Sequence, residues 1–494
     1  MNQNETPLFT GLLNYTKESP TQFHIPGHKR GKGMDPEFRH FIGENALSID
    51  LINIAPLDDL HQPHGMIKQA EELAANAFGA DATFFSVQGT SGAIMAMVLS
   101  VCSPGDKIFV PRNVHKSVIS AIIFSGAIPV FIYPEIDHEL GIAHGITTDA
   151  VQKAITQHPD AKALLVINPT YFGIVSDLEA IVALAHEHTL PVLVDEAHGV
   201  HIHFHDSLPK SAMQAGADMA ATSVHKLGGS LTQSSVLNVK EGLVSVDRVQ
   251  AMLSMLTTTS TSYLLLASLD VARRYLVTDG YQELSRIIQI SNETRDKINN
   301  IKGLYCVGKE ILGTQATYNL DPTKLLISVK QLGITGYEAE GWLRENYHIE
   351  VELSDLYNIL CIITPGDDST TVQKLVNACQ SLADVVYQIS KQSGHIPKQL
   401  PVHVPEMPQL AMSPRDAFYA ETESVPFWES EGRISTEIMM VYPPGIPIFT
   451  PGEIITKENL DYIEENIEAG LPVQGPEDPT LQHIRVVKII EPIH

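Results

Sequence analysis

Lys226 lies in TSVHKLGGSLTQSS (222 to 235), one long cation among residues that are nearly all small or hydroxylated. An amine in such a place can attack a carbonyl carbon if it is neutral, so its reference pKa of about 10.4 must be lowered by a cationic or apolar setting. Two other stretches offer partners. QGTSGA follows the apolar run FFSV, which puts Gly89, Thr90, Ser91 and Gly92 between a strand and a helix. Amides and hydroxyls at a helix N-terminus can cradle one phosphate group; the plainer alternative is a helix cap at Thr90 or Ser91. DEAHGVHIHFHD (195 to 206) can be read in two ways. His201, His203 and His205 alternate, so on a strand they would share a face and could hold zinc with nearby carboxylates. Asp195, closing the buried run PVLV, could instead bond a heterocyclic nitrogen, and its burial favours this, because an unpaired carboxylate there would be costly.

A phosphate cradle, then a buried aspartate, then Ser-x-His-Lys suits pyridoxal phosphate. The phosphate would take Thr90, Ser91 and Ser223. Asp195 would hold the ring nitrogen protonated, so that the ring can absorb the electron pair left when a bond at a substrate α-carbon breaks. Lys226 would form the Schiff base with the aldehyde, and His115, in RNVHKS, would be free to stack on the ring face. Neither the G-x-x-x-x-G-K-[ST] spacing nor G-x-G-x-x-G is present, which removes nucleotide-hydrolase and dinucleotide readings.

These residues need elements that deliver them to one edge. From about residue 80 to 240 the sequence alternates strand, loop and helix: TFFSV (83 to 87), KIFVP (107 to 111), IPVFIY (128 to 133), ALLVIN (163 to 168), PVLVDEA (191 to 197) and SSVLNV (234 to 239) read as strands. Such alternation predicts an α/β fold with a mostly parallel sheet covered by helices, and ligands bind at the carboxyl ends of its strands. QGTSGA, RNVHKS, PTYFG and DEAHG all follow strands. Two long helical stretches come after residue 240, then a second α/β block near 300 to 390 with KLLISVKQLG, GYEAEGWLRENY, IEVELS and YNILCIIT. A proline-marked linker (394 to 410) precedes a last segment containing VYPPGIPIFTPGE.

At 494 residues, with 44% apolar and 18% charged residues, the chain is globular and needs more than one domain. Its four cysteines form no C-x-x-C pair, so neither a disulfide framework nor a structural zinc site is expected. No signal or transit peptide and no bilayer-length apolar run is visible, which predicts a cytoplasmic protein. A formal net charge of −25 disfavours nucleic acid and anionic membranes as partners and would attract a cationic small molecule.

The same stretches carry a resemblance over essentially the whole chain. FHIPGHKRG (23 to 31), DDLHQPHG (58 to 65), QGTSGA, RNVHKS, NPTYFG, VDEAHGVH, TSVHKLGGSLTQSS and YPPGIPIFTPGE, in this order, resemble the Orn/Lys/Arg decarboxylase family of fold-type-I pyridoxal phosphate enzymes. The chain is most similar to the short bacterial arginine decarboxylases, which lack an N-terminal wing domain. The resemblance implies an aspartate aminotransferase-like large domain, a smaller α/β domain and a C-terminal domain, divided as 1–65, 66–300, 301–392 and 393–494. It implies Lys226 as the Schiff-base lysine, Asp195 as the ring-nitrogen partner and His115 as the stacking residue. Thr90, Ser91, Ser223, His225 and His198 fall around the cofactor or the lysine. A homodimer or higher homo-oligomer with shared active sites is implied too, a hydroxyl of TTTSTS (257 to 262) reaching the neighbouring subunit's phosphate. One departure stands out: Tyr263 follows Ser262 where long members of the family often have proline.

The expected reaction is decarboxylation of a basic amino acid, L-arginine to agmatine and carbon dioxide, as in polyamine biosynthesis, with lysine or ornithine as the alternative substrate. Glu352, in VELSDLYN, is the candidate for the substrate's distal cation, with Asp355 as its rival; a guanidinium favours a planar, bidentate carboxylate. Beyond this family stand an aminotransferase or lyase of the same fold and a zinc hydrolase built on His201, His203 and His205. With Asp195 and His198 given other work, those three histidines read as structural or surface residues, and no metal is expected.

Overall fold

The computed structural model describes residues 1–393, 405–441, 445–468 and 471–488. The linker up to residue 404, and Tyr442, Pro443 and Pro444 of YPPGIP, lie outside the described residues. The chain folds as two compact units, Met1–Val101 with Ala163–Pro169 and Leu178–Ser285, and Cys102–Lys162 with Thr170–Asp177 and Arg286–His494.

In the first unit five strands lie side by side in the order Ala82–Ser86, Ser235–Val239, Met219–Thr222, Val192–Asp195 and Ala163–Ile167. Three of them pair in parallel, Val194 lying opposite Val166 on one side and Ala220 on the other. Ser235–Val239 runs antiparallel to both of its neighbours, so the sheet is mixed. The central strands are buried along their whole length, which is why they read as unbroken apolar runs. Met219–Thr222 was not among the expected strands. Its sequence, MAAT, has almost no β-branched content, and it is made a strand by the ladders on both its sides.

Two buried carboxylates fix the N-terminal part of this unit. Asp270, fully buried, pairs with Arg273 at 2.7 Å and accepts from the amides of Leu8 and Phe9 at 3.0 and 3.2 Å, capping the helix Pro7–Glu18. Arg273 in turn donates to the carbonyls of Gln3 and Glu5, both at 2.6 Å. Asp58 accepts from the amides of His64, Gly65, Ile67 and Lys68 at 2.9, 2.7, 2.9 and 3.2 Å and so caps the helix Met66–Phe78, whose own N-cap is a glycine. Burial opposes its ionisation, yet these amides together hold its carboxyl below the usual value.

The run of alternating histidines corrects an expectation. His201, His203 and His205 do not share a strand face; Ile202–Phe204 is a 3₁₀ turn. His203 Nδ1 bonds Ser211 Oγ at 2.7 Å, and His205 Nε2 bonds Ser285 Oγ at 2.8 Å while its ring stacks on Tyr281. Burial also lowers the pKa of His203. Among the described residues, no group of three or more His, Cys, Asp or Glu could hold a metal ion. Likewise, no described helix is long and apolar enough to cross a membrane.

In the second unit Lys107–Pro111 and Ile128–Ile132 pair in parallel. A four-stranded antiparallel sheet follows, ordered Tyr305–Cys306, Lys324–Ser328, Asn358–Ile362 and Leu353–Ser354. The helix Gly336–Tyr347 starts at a capping box formed by Thr335 and Glu338. The last part of the chain pairs Thr422–Pro426 with His483–Val487 and Met439–Val441 with Ile446–Phe449. Phe427, Phe449, Ile463 and Val486 lie in its core beside Leu356 and Tyr357.

Candidate functional site

Parallel strands that end side by side deliver the site's residues to one edge. Val192–Asp195 and Met219–Thr222 run in register, Asp195 opposite Ala221, and the amide of Glu196 continues the ladder to the carbonyl of Ala221 at 3.0 Å. Asp195 therefore emerges beside Ser223, the N-cap of the short helix Val224–Leu227 that carries Lys226. Asp195 is 6% exposed, and its Oδ1 accepts from the amide of Ala197 at 3.1 Å. Lys226 Nζ stands 2.7 Å from His198 Nε2, three residues beyond Asp195. His225 points its Nδ1 the other way, to the carbonyl of Ser234 at 2.9 Å, and its amide bonds the same carbonyl. That doubled bond holds the short helix against the loop that follows it.

The hydroxyl cradle forms where QGTSGA enters the helix Gly89–Val101. Thr90 Oγ1 bonds Ser223 Oγ and lies 2.8 Å from Ser235 Oγ, and all three side chains are buried. Gly89 takes a positive φ of 68°, and a Cβ added there would meet no atom within 4 Å, so it is the turn and not crowding that calls for glycine. Its amide is braced by the carbonyl of Gln233 at 2.9 Å. Ser91 is exposed at the first turn of the same helix. Three converging hydroxyls at a helix N-terminus, a buried carboxylate at a strand end and a lysine beside an imidazole have the donor set that a phosphate-bearing pyridine aldehyde needs.

Sequence reasoning missed Ser235, although it closes the quoted TSVHKLGGSLTQSS, because nothing local says which serine of a run turns inward. It also missed Glu196. This side chain is 2% exposed and accepts from the amide of Ala212 at 2.6 Å and from Thr222 Oγ1 at 3.0 Å, so it ties the strand end before Ser223 to the strand end after Asp195. Burial pushes its pKa up to about 7.

In the second unit, His115 is exposed and caps the helix Lys116–Ser125, its Nδ1 accepting from the amide of Ser117 at 3.2 Å. Glu352 is exposed as well, and Tyr171, from NPTYFG, donates its hydroxyl to Glu352 Oε1 at 2.5 Å. Asp355 is spent locally. It accepts from the amides of Tyr357 and Asn358, both at 2.8 Å, and is 2% exposed; burial pushes its carboxyl up to about 6 against the opposing pull of those hydrogen bonds.

The TTTSTS run divides by exposure. Thr258, Thr259 and Ser260 are exposed, Thr257 bonds back to the carbonyl of Leu253 at 2.7 Å, Thr261 is buried, and Ser262 caps the helix Tyr263–Thr278. Tyr263 occupies the first helical position, where a proline would be tolerated. Its ring is fully buried and its hydroxyl donates to the carbonyl of Asp58, which gives the departure from the long members a packing reason.

Known proteins resemble the chain throughout. A family model described as "Orn/Lys/Arg decarboxylase, major domain" matches residues 6–371, and one described as "Orn/Lys/Arg decarboxylase, C-terminal domain" matches residues 398–472. The "Arginine decarboxylase" of Bacillus subtilis (strain 168) is 68% identical over 489 residues, covering 99% of each chain. Among solved structures, the constitutive lysine decarboxylase of E. coli superposes with a TM-score of 0.83 at 22% identity, covering 98% of this chain and 82% of its own. A chain described as "SPT with PLP" superposes with a TM-score of 0.51 at 15% identity, over 65% of this chain and 76% of its own. These two likenesses speak to the fold.

Proposed function

The chain belongs to the Orn/Lys/Arg decarboxylase family, and from that premise we propose that it converts L-arginine to agmatine and carbon dioxide with pyridoxal phosphate as cofactor. The observation that carries the reading is Lys226 Nζ at 2.7 Å from His198 Nε2, beside the strand end that presents Asp195. When bound, pyridoxal phosphate supplies an electron sink for the pair left at the substrate's α-carbon as the carboxylate departs.

Every other part falls to the chain's own groups. Thr90, Ser223 and Ser235 hydroxyls, with Ser91 at the same helix start, bind the phosphate. Asp195 pairs with the ring nitrogen and keeps it protonated. His198 Nε2 takes the proton that Lys226 Nζ must lose before it can act as a nucleophile, and Lys226 returns a proton to the α-carbon at the end. His225 orients the lysine's helix through Ser234. For His115 the family resemblance supports stacking on the ring. Glu352 is the proposed partner of the guanidinium. The Tyr171 hydroxyl would hold one of its oxygens in place, so that a planar fork meets a fixed carboxylate.

We also propose a homodimer or higher homo-oligomer with shared sites, in which Thr258, Thr259 or Ser260 reaches the neighbouring phosphate. A cytoplasmic setting and the division 1–65, 66–300, 301–392 and 393–494 complete the reading. Carbon dioxide release measured side by side with arginine, lysine and ornithine tests it. Arginine should give the highest kcat/KM, because a mismatched cation leaves the carboxylate desolvated and poorly paired. Equal or better turnover of lysine or ornithine would overturn the arginine assignment and leave the family untouched.

A further inference from the structure

Two of the sequence stretches that resemble the family meet through a contact that the reaction has not yet used. Arg112 opens RNVHKS, and Glu453 closes IPIFTPGE. Arg112 is fully buried and Glu453 is 1% exposed. Their contact is bidentate, Nη1 to Oε1 at 2.6 Å and Nη2 to Oε2 at 2.8 Å. The guanidinium also donates from Nε to the carbonyl of Pro447 at 3.1 Å and from Nη2 to that of Ile448 at 3.4 Å, and it lies 4.4 Å from the centre of the Phe131 ring. On the other side, Glu453 Oε2 accepts from the amide of Thr450 at 2.7 Å, and its carbonyl accepts from the amide of Ser435 at 2.9 Å.

A desolvated pair of this kind is weak evidence for stability, since an apolar pair of similar volume often does as well. What it supplies is a fixed geometry, because a planar fork matched to a carboxylate leaves little freedom in angle or depth. The geometry is fixed at the base of one particular loop. Arg112 follows the strand Lys107–Pro111, its amide bonds the carbonyl of Ile132 at 2.9 Å, Val114 is buried, and His115 then turns outward to cap Lys116–Ser125. The residues matched by the C-terminal family model therefore grip the loop of the major domain that presents His115.

We propose that Arg112 and Glu453 are positioning residues for His115, and that the C-terminal segment sets the height and tilt of that imidazole. This rests on the proposed stacking role of His115. The test compares three folded variants loaded with pyridoxal phosphate: His115→Ala, the volume-conserving double variant Arg112→Met/Glu453→Met, and the triple variant. Arg112→Lys, which keeps the charge and loses the fork, is measured beside them. Each is read by the absorbance spectrum of the bound cofactor and by kcat and KM for arginine.

The double variant should fold and bind the cofactor, shift the cofactor's absorbance as His115→Ala does, and lose roughly ten- to a hundredfold in kcat, the scale on which small misplacements act. Arg112→Lys should fall between it and the unaltered enzyme. The triple variant should be no slower than His115→Ala alone, because residues that act through one group are non-additive. A double variant with unchanged spectrum and kcat, or losses that simply multiply in the triple variant, would overturn the inference and leave the role of His115 standing. An inert His115→Ala would remove the stacking role and the inference together. Should the double variant fail to fold, Arg112→Lys decides: an unchanged spectrum and kcat there overturns the proposal, and a matching spectral shift supports it.

Discussion

At Lys226 the controlling quantity is where one proton resides. On the proposed reading His198 Nε2, 2.7 Å from Lys226 Nζ, is the acceptor for that proton. Borohydride treatment of the loaded enzyme should fix the cofactor to a peptide containing Lys226, and Lys226→Ala should abolish the long-wavelength absorbance; a labelled peptide from another part of the chain would end the assignment. Glu196 gives a second prediction. Its folded pKa is raised from 4.5 to about 7 by burial, so between those values the folded state holds a proton that the unfolded chain has lost. Its contribution to stability is full below the unfolded value and is lost as pH rises through the folded one. Glutamine keeps the shape of the neutral acid and does not titrate, so thermal unfolding of Glu196→Gln should depend less steeply on pH across that window. Parallel profiles for variant and unaltered enzyme would contradict this. Lys226 and Asp195 stood out in the sequence as candidates, Asp195 because it ends a buried apolar run and Lys226 because it is one long cation among small and hydroxylated residues. Glu196 was not, since a carboxylate that bridges two strand ends declares itself only once those ends lie together.

Helix ends and strand ends decide how far local sequence can be trusted. Asp58 caps Met66–Phe78 from outside the helix, accepting from four of its amides or their near neighbours. Asp58→Ala should strand those donors and cost about 1–3 kcal/mol or more, seen as a lower denaturant midpoint, with Asp58→Asn milder; an unmoved midpoint in Asp58→Ala would show that water replaces the cap without loss. Most of the expected strands formed within a residue or two, because buried apolar runs bounded by turns leave few alternatives. Met219–Thr222 escaped notice since alanines carry no period, yet it is the strand that delivers Lys226. The histidine run fails as a strand for the opposite reason. Its alternation is real, but Gly199 and the turn after Asp195 commit the backbone to a tight helical path, with the amide of Ile202 bonding back to the carbonyl of Gly199 at 3.1 Å.

Across the whole molecule, what sequence reading loses is pairing over long separations. Arg112 with Glu453, and Asp270 with the start of the chain, are ordinary charges until folding joins them. Asp270→Ala should be severe, about 3–5 kcal/mol, because it leaves the guanidinium of Arg273 buried without its carboxylate. A loss of less than about 1 kcal/mol in chemical unfolding would mean that the carbonyls of Gln3 and Glu5 suffice for that charge. The same lock has a consequence for synthesis. The amide of Leu8 finds its acceptor 262 residues later in the chain, so at roughly 5–20 residues per second the first helix waits roughly 13–50 s for its partner to leave the ribosome. Throughout that interval the helix, whose Leu8, Leu12 and Tyr15 are buried in the finished fold, has Met66–Phe78 to pack against but no carboxylate to cap its start. The start of the chain is therefore among the last parts to be fastened, and a translational pause ahead of residue 270 should prolong the sensitivity of that helix to protease in nascent chains.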